Sequence, residues 1–160
     1  MNITRVVCNQ KKLDMLQSSE AYVMVSLSLI DGFISCWDEK YRSRVIRPET
    51  YINKYIDDDW VPVLQTPPFP EYTSGHSVIS SSASVVLTQL FGDQFAFTDS
   101  TETEFGLPPR SFKSFYDAAA EAAVSRLYGG IHYKPAIEIG LQQGRAVGNF
   151  VSAKIKTRQK

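Results

Sequence analysis

From Ser19 to about Arg42 the apolar residues Val23, Leu27, Ile30 and Ile34 return every three or four positions. That spacing places side chains along one side of an α-helix and predicts a single long helix here. The rest of the chain breaks into further helices. Pro48 suits the first turn of a short helix reaching Ile56, because its missing N–H is not needed there. Four prolines between Val61 and Pro70 predict an extended crossing, within a loop from Asp57 to Thr73, until Ser74 caps a new helix. That helix runs to about Phe91 and ends at Gly92. A polar connection from Asp93 to Arg110 leads to a helix from about Ser111 to Tyr128, rich in alanine and stopped by Gly129 and Gly130. The last helix starts near Pro135 and continues to about Ile155. Gly140, Gly144 and Gly148 fall at every fourth position of it, a stripe that permits close approach to a neighbour.

With 160 residues, of which 43% are hydrophobic, the chain has enough material for one compact domain. Seventeen basic residues balance seventeen acidic ones, so the whole-molecule field gives no reason to expect a nucleic acid or an anionic membrane as partner. Any anion site must be local. The apolar-leaning stretch from Ala21 to Ile30 ends at Asp31, short of the roughly 20 residues that span a bilayer. No secretory signal is visible at the start, so the expectation is a soluble protein whose compartment stays open. Cys8 and Cys36, without metal-type spacing, read as small buried residues.

Three segments far apart in sequence concentrate groups that bind tetrahedral oxyanions. The first holds Lys40 and Arg47, among Arg42 and Arg44; basic side chains at a helix end also simply complement its dipole. The second is Thr73, Ser74, Gly75, His76 at a helix start, where free N–H groups and partial positive charge cradle anions. There Ser74 serves equally as an ordinary N-cap. The third is Ser125 and Arg126, followed after a glycine turn by His132. The chain has only two histidines, and each lies inside one of these segments.

The three segments together resemble the signature of the phosphatidic acid phosphatase type 2 superfamily, which includes bacterial class A acid phosphatases and the vanadium-dependent haloperoxidases. The matching positions are Lys40 with Arg47-Pro48, then Ser74-Gly75-His76, then Ser125-Arg126 with His132; the resemblance runs to about Gly148. The wording around them, Thr66-Pro67-Pro68-Phe69-Pro70-Glu71-Tyr72 and Tyr128-Gly129-Gly130-Ile131-His132-Tyr133, is nearest the soluble haloperoxidase-like branch. The resemblance implies an all-α helical bundle with its site at helix ends and connecting loops. Residues 1–160 would form one such domain, either the C-terminal part of a longer family member or a unit that completes its core as a homo-oligomer.

For phosphoester hydrolysis the resemblance implies that Lys40, Arg47, Arg126, Ser74 and Gly75 hold the phosphoryl oxygens. His132 would attack phosphorus to form a phosphohistidine, and His76 would protonate the leaving oxygen, with no metal required. The substrate would be a small phosphorylated or anionic molecule. The alternative uses vanadate as cofactor on His132 for haloperoxidase chemistry. From the sequence, hydrolysis is placed first, because it needs only phosphate esters. Two departures stand out. Thr73 replaces the usual proline. Ala136 occupies the place of the aspartate expected to orient His132, which makes Glu138 the nearest carboxylate able to substitute. This departure, together with the short stretch before Lys40 where soluble members usually carry further helices, motivates a third reading, an oxyanion-binding relic without turnover.

Overall fold

The computed structural model describes residues 1–157, so the last three positions of the 1–160 domain lie outside it. Six helices dominate: α1 (Asn2–Lys11), α2 (Met15–Ser43), α3 (Pro48–Tyr55), α4 (Gly75–Phe91), α5 (Phe115–Tyr128) and α6 (Lys134–Lys154). Two short strands, β1 (Phe97–Asp99) and β2 (Arg110–Phe112), pair antiparallel with Phe97 opposite Phe112.

Local chemistry explains most boundaries. The Asp14 carboxylate accepts from Gln17 N–H at 2.8 Å while the Gln17 side chain accepts from Asp14 N–H, a reciprocal cap that opens α2. Pro48 stands in the first turn of α3, and the Ser74 hydroxyl accepts from Ser77 N–H to open α4. The expected start of α5 at Ser111 is corrected to Phe115. Ser111 lies in β2, whose Phe112 ring packs 5.5 Å from Phe97, and the Ser114 hydroxyl supplies the cap by accepting from Asp117 N–H at 3.1 Å. The helix α1 has no counterpart among the sequence expectations.

The helix α4 is the hub, packed on α2, α5 and α6. Cys36 meets Thr73 and Gly32 meets Ser82, so α2 runs antiparallel to α4. The glycine stripe of α6 advances in step with α4: Gly140 lies against Ser77, Gly144 against Ser81 and Gly148 against Val85, so these two helices run parallel. A Cβ on Gly144 would collide with the Val78 carbonyl and stand 2.7 Å from the Ser81 Cβ, which is why this helix tolerates three residues of low helix propensity.

The bundle is chemically polarised along its length. One end is apolar, built on Met24, Val25, Val86, Leu87, Val151 and the rings of Phe95, Phe97 and Phe115. The other end gathers the C-termini of α2 and α5 with the N-termini of α4 and α6. The periodic face of α2 is largely turned outward: Val23, Ile30 and Ile34 are 51%, 57% and 60% exposed, while Ala21, Val25, Ser28, Gly32 and Cys36 face inward. By length and composition alone, a window within Met15–Tyr55 is apolar enough to cross a membrane. In this fold α2 packs one side on α4 and α6.

Candidate active site

At the polar end the proline-rich segment turns inward and is pinned from below by two buried cations. The Lys40 ammonium, with no exposed surface, donates to the carbonyls of Pro70 and Glu71 at 2.9 Å each. Burial strips its water and lowers its pKa to about 8. Arg47 donates from Nε to the Phe69 carbonyl at 3.0 Å and from Nη1 to the Ile131 carbonyl at 2.8 Å. Its Nη1 also lies 3.1 Å from His132 Nε2. Both cations sit beside the Phe69 ring, at 5.3 and 5.1 Å from its centroid. Thr73, in place of the usual proline, uses its hydroxyl to join the segment to the bundle: it donates to the Gln143 side chain at 2.6 Å, which donates in turn to Ser35.

Above this floor a cleft of about 460 Å³ opens, lined by Trp37, Phe69, His76, Arg126, Ile131 and His132 among others. Gly75 opens α4 on its wall, so its N–H has no intrahelical acceptor. A side chain there would only touch the Trp37 ring, at 3.5 Å. Ser74 is fully buried beside it. Arg126 spends Nε on the Ser125 hydroxyl at 3.0 Å, and among the described residues its terminal nitrogens have no hydrogen-bond partner. The turn that carries the chain from Arg126 to His132 depends on Gly130, which adopts φ +75° against Trp60 and Pro62.

The two histidines occupy different settings. His132 is buried, and loss of water, reinforced by Arg47 and Lys40, lowers its pKa despite Glu71. His76 stands at the rim, reachable from solvent on one side; withdrawal of water by the concave wall, with Arg126 and His132 nearby, lowers its pKa too. Both imidazoles are therefore biased toward the neutral form, which can accept a proton.

The structure thus brings together Lys40, Arg47, Ser74, Gly75, His76, Arg126 and His132. It does not bring Glu138. That side chain projects outward from α6, 56% exposed, and faces Lys134 at 3.6 Å, because two positions beyond Ala136 on a helix turn it away from the cleft. The carboxylate beside His132 is Glu71, whose Oε1 lies 2.6 Å from Nδ1 and also accepts from Tyr133 N–H at 3.1 Å. Glu71 carries no role in the sequence expectations; an acid just before Ser74-Gly75-His76, in a chain with alanine at 136, is the signal that points to it. A second cleft, of about 370 Å³ between α2, α4 and α5, brings no histidine, and its rim charges Arg110 and Glu121 pair with each other at 2.6 Å.

The family model of the VCPO second helical-bundle domain matches residues 20–160. Among solved structures, a bacterial vanadium-dependent iodoperoxidase is 60% identical and superposes with a TM-score of 0.94 over 96% of this chain and 38% of that one. Holo-type and apo-type bacterial vanadium-dependent chloroperoxidases are 18% and 19% identical, with TM-scores of 0.74 and 0.73. They cover 92% and 94% of this chain, and 38% and 40% of their own, and at that identity they speak to the fold alone. The chain accordingly spans about two fifths of the length of these relatives. No curated protein matches.

Proposed function

The chain belongs to the family of the VCPO second helical-bundle domain, and on that premise we propose that its cleft holds vanadate and serves the peroxide-dependent oxidation of a halide, iodide first. The observation that carries this reading is the convergence of two neutral-biased imidazoles, Arg126 and a helix N-terminus at one cleft, over the buried cations Lys40 and Arg47, in a chain 60% identical to an iodoperoxidase.

The donor set fits a tetrahedral oxyanion. An ammonium has three N–H donors, and Lys40 commits two of them to the Pro70 and Glu71 carbonyls, which leaves one. The Gly75 N–H and the terminal nitrogens of Arg126 are also uncommitted among the described residues. Lys40, Arg47 and Arg126 offset the anion's charge from below and from the side, with Ser74 and Gly75 donating to its oxygens. His132 would ligate through Nε2, the nitrogen that here accepts from Arg47 Nη1 at 3.1 Å and that Arg47 would release to the anion. When bound, vanadate supplies the activation of hydrogen peroxide, so that halide, peroxide and one proton give hypohalous acid and water. His76, at the rim with a lowered pKa, is placed to hold and return that proton. Trp37, Phe69 and Ile131 present apolar surface that keeps the inner cleft dry.

Phosphate-ester hydrolysis, which sequence reasoning placed first, would use the same atoms; the iodoperoxidase likeness reverses the order. The motive for an inactive relic, an unsupported His132, weakens because Glu71 stands 2.6 Å from its ring. The test is triiodide formation from iodide and hydrogen peroxide with and without added vanadate, run beside release of a chromogenic phenol from its phosphate ester. Vanadate-dependent triiodide without ester hydrolysis is expected. Hydrolysis without triiodide would restore the phosphatase reading.

A further inference from the structure

The ring of His132 has a partner on each nitrogen, and the two partners differ in kind. A guanidinium carries only donors, so at 3.1 Å from Arg47 Nη1 the Nε2 atom is the acceptor. The proton of the neutral ring then belongs on Nδ1, which donates to Glu71 Oε1 at 2.6 Å. The opposite tautomer would set one N–H against another and a lone pair against a carboxylate, with both side chains at 5% exposure or less. Glu71 is itself held. Its Oε1 accepts from Tyr133 N–H, its main-chain N–H donates to the Val45 carbonyl at 2.9 Å, and its main-chain carbonyl accepts from Lys40. The carboxylate is thus tied to the backbone immediately after the ring it faces.

We propose that Glu71 is the positioning residue of His132: it fixes the Nδ1–H tautomer and so keeps the ring's lone pair on Nε2, which here accepts from Arg47 Nη1 and would pass to the anion's central atom as Arg47 turns that N–H to an anion oxygen, the task the family pattern gives to an acid at the position of Ala136. Ala136 is fully buried and offers no side-chain acceptor, and Glu138 points to solvent, so in this chain the carboxylate has moved from the start of α6 to the segment before α4. This rests on the reading of His132 Nε2 as the atom that bonds the anion's central atom. A merely structural carboxylate would support all tetrahedral anions alike. A positioning carboxylate matters to vanadate, which bonds to Nε2, and not to phosphate held only by hydrogen bonds and charge. Removing a negative group beside the cations should, by charge alone, tighten phosphate binding.

The full chain with 15N-labelled histidine provides the first readout. It has only two histidines, and a His76→Gln variant assigns them. In the neutral range His132 should show a protonated Nδ1 and an unprotonated Nε2, and Glu71→Ala should abolish that preference. Vanadate affinity should fall roughly 10- to 100-fold in Glu71→Ala, while phosphate affinity holds or rises and Glu138→Gln changes neither. Where Glu71→Ala fails to fold, Glu71→Gln keeps the volume and removes the charge; vanadate should weaken and phosphate should not. A protonated Nε2 in the parent, a tautomer indifferent to Glu71→Ala, or equal loss of both anions would overturn the proposal. Absence of iodide oxidation with the tautomer and anion results intact would remove the haloperoxidase reading and leave the role of Glu71 standing.

Discussion

Arg126 and Arg42 carry the same charge in opposite circumstances. Arg42 is 70% exposed on α2 and already pairs with Asp38 and Glu39, so it is screened and engaged. Arg126 lines the cleft with its terminal nitrogens uncommitted among the described residues. Arg126→Ala should weaken phosphate binding roughly tenfold to a hundredfold, the worth of a charge-assisted hydrogen bond or two. Arg42→Ala should stay within about twofold; equal losses in a calorimetric titration would mean the cleft is not the anion site. Lys40 makes a second residue-scale prediction. Its pKa of about 8 means that it sheds its charge as pH rises through that value. Affinity for sulfate, whose own charge is constant in this range, should fall above about pH 8 and be flat in Lys40→Met.

Packing between helices rests on small residues as much as on large ones. Gly144 lets α6 lie directly on the α4 backbone, where an added methyl meets the Val78 carbonyl rather than a side chain free to move aside. Gly144→Ala gains about 1 kcal/mol of helix propensity, but forcing two helices apart costs about 1–3 kcal/mol. A rigid carbonyl favours the upper part of that range, so the variant should be less stable by roughly 1–2 kcal/mol in urea denaturation. A stability equal to or above the parent's would show that the helices separate easily. The helix α2 carries the complementary lesson. Its inner face mixes Met24 and Val25 with the small residues Ala21, Ser28, Gly32 and Cys36, and its periodic residues Val23, Ile30 and Ile34 look outward. Periodicity therefore finds the helix, but close contact with α4 decides which side is buried.

Across the whole molecule, one end stores stability and the other spends it on polar chemistry. Met24, Val86, Phe95, Phe97 and Phe115 pack at the apolar end, while Lys40, Arg47, Glu71 and His132 are buried at the other. The lowered pKa of both imidazoles, buried His132 and rim-exposed His76, gives folding a pH dependence of definite sign. A histidine whose folded pKa lies below its unfolded value near 6.5 binds protons more readily when unfolded. The neutral rings therefore cost nothing well above about pH 6.5, and stability is lost as pH falls below it toward the lowered folded values of His76 and His132. The urea midpoint should drop between about pH 7.5 and 5.5, and it should drop less when both histidines are replaced by glutamine. A midpoint that rises on acidification would contradict the shifts.

Helices α2 to α6 were legible in the residues to within about four positions, because apolar period, serine caps, prolines and terminal glycines act locally. The sequence also singled out Lys40, Arg47, Ser74, Gly75, His76, Arg126 and His132, because groups that bind one anion must be donors of restricted kinds, held at spacings that helix ends and glycine turns impose. It missed α1 and placed the start of α5 four residues early, since the pairing of Phe97 with Phe112 that claims Ser111 for a strand is a contact between segments. Nor could it choose between Glu138 and Glu71. Nearness along the chain favoured Glu138, six residues from His132, over Glu71, 61 residues away. A hydrogen bond depends on where the chain returns in space, and the buried cations Lys40 and Arg47 draw the segment from Phe69 to Glu71 inward until its carboxylate meets the imidazole.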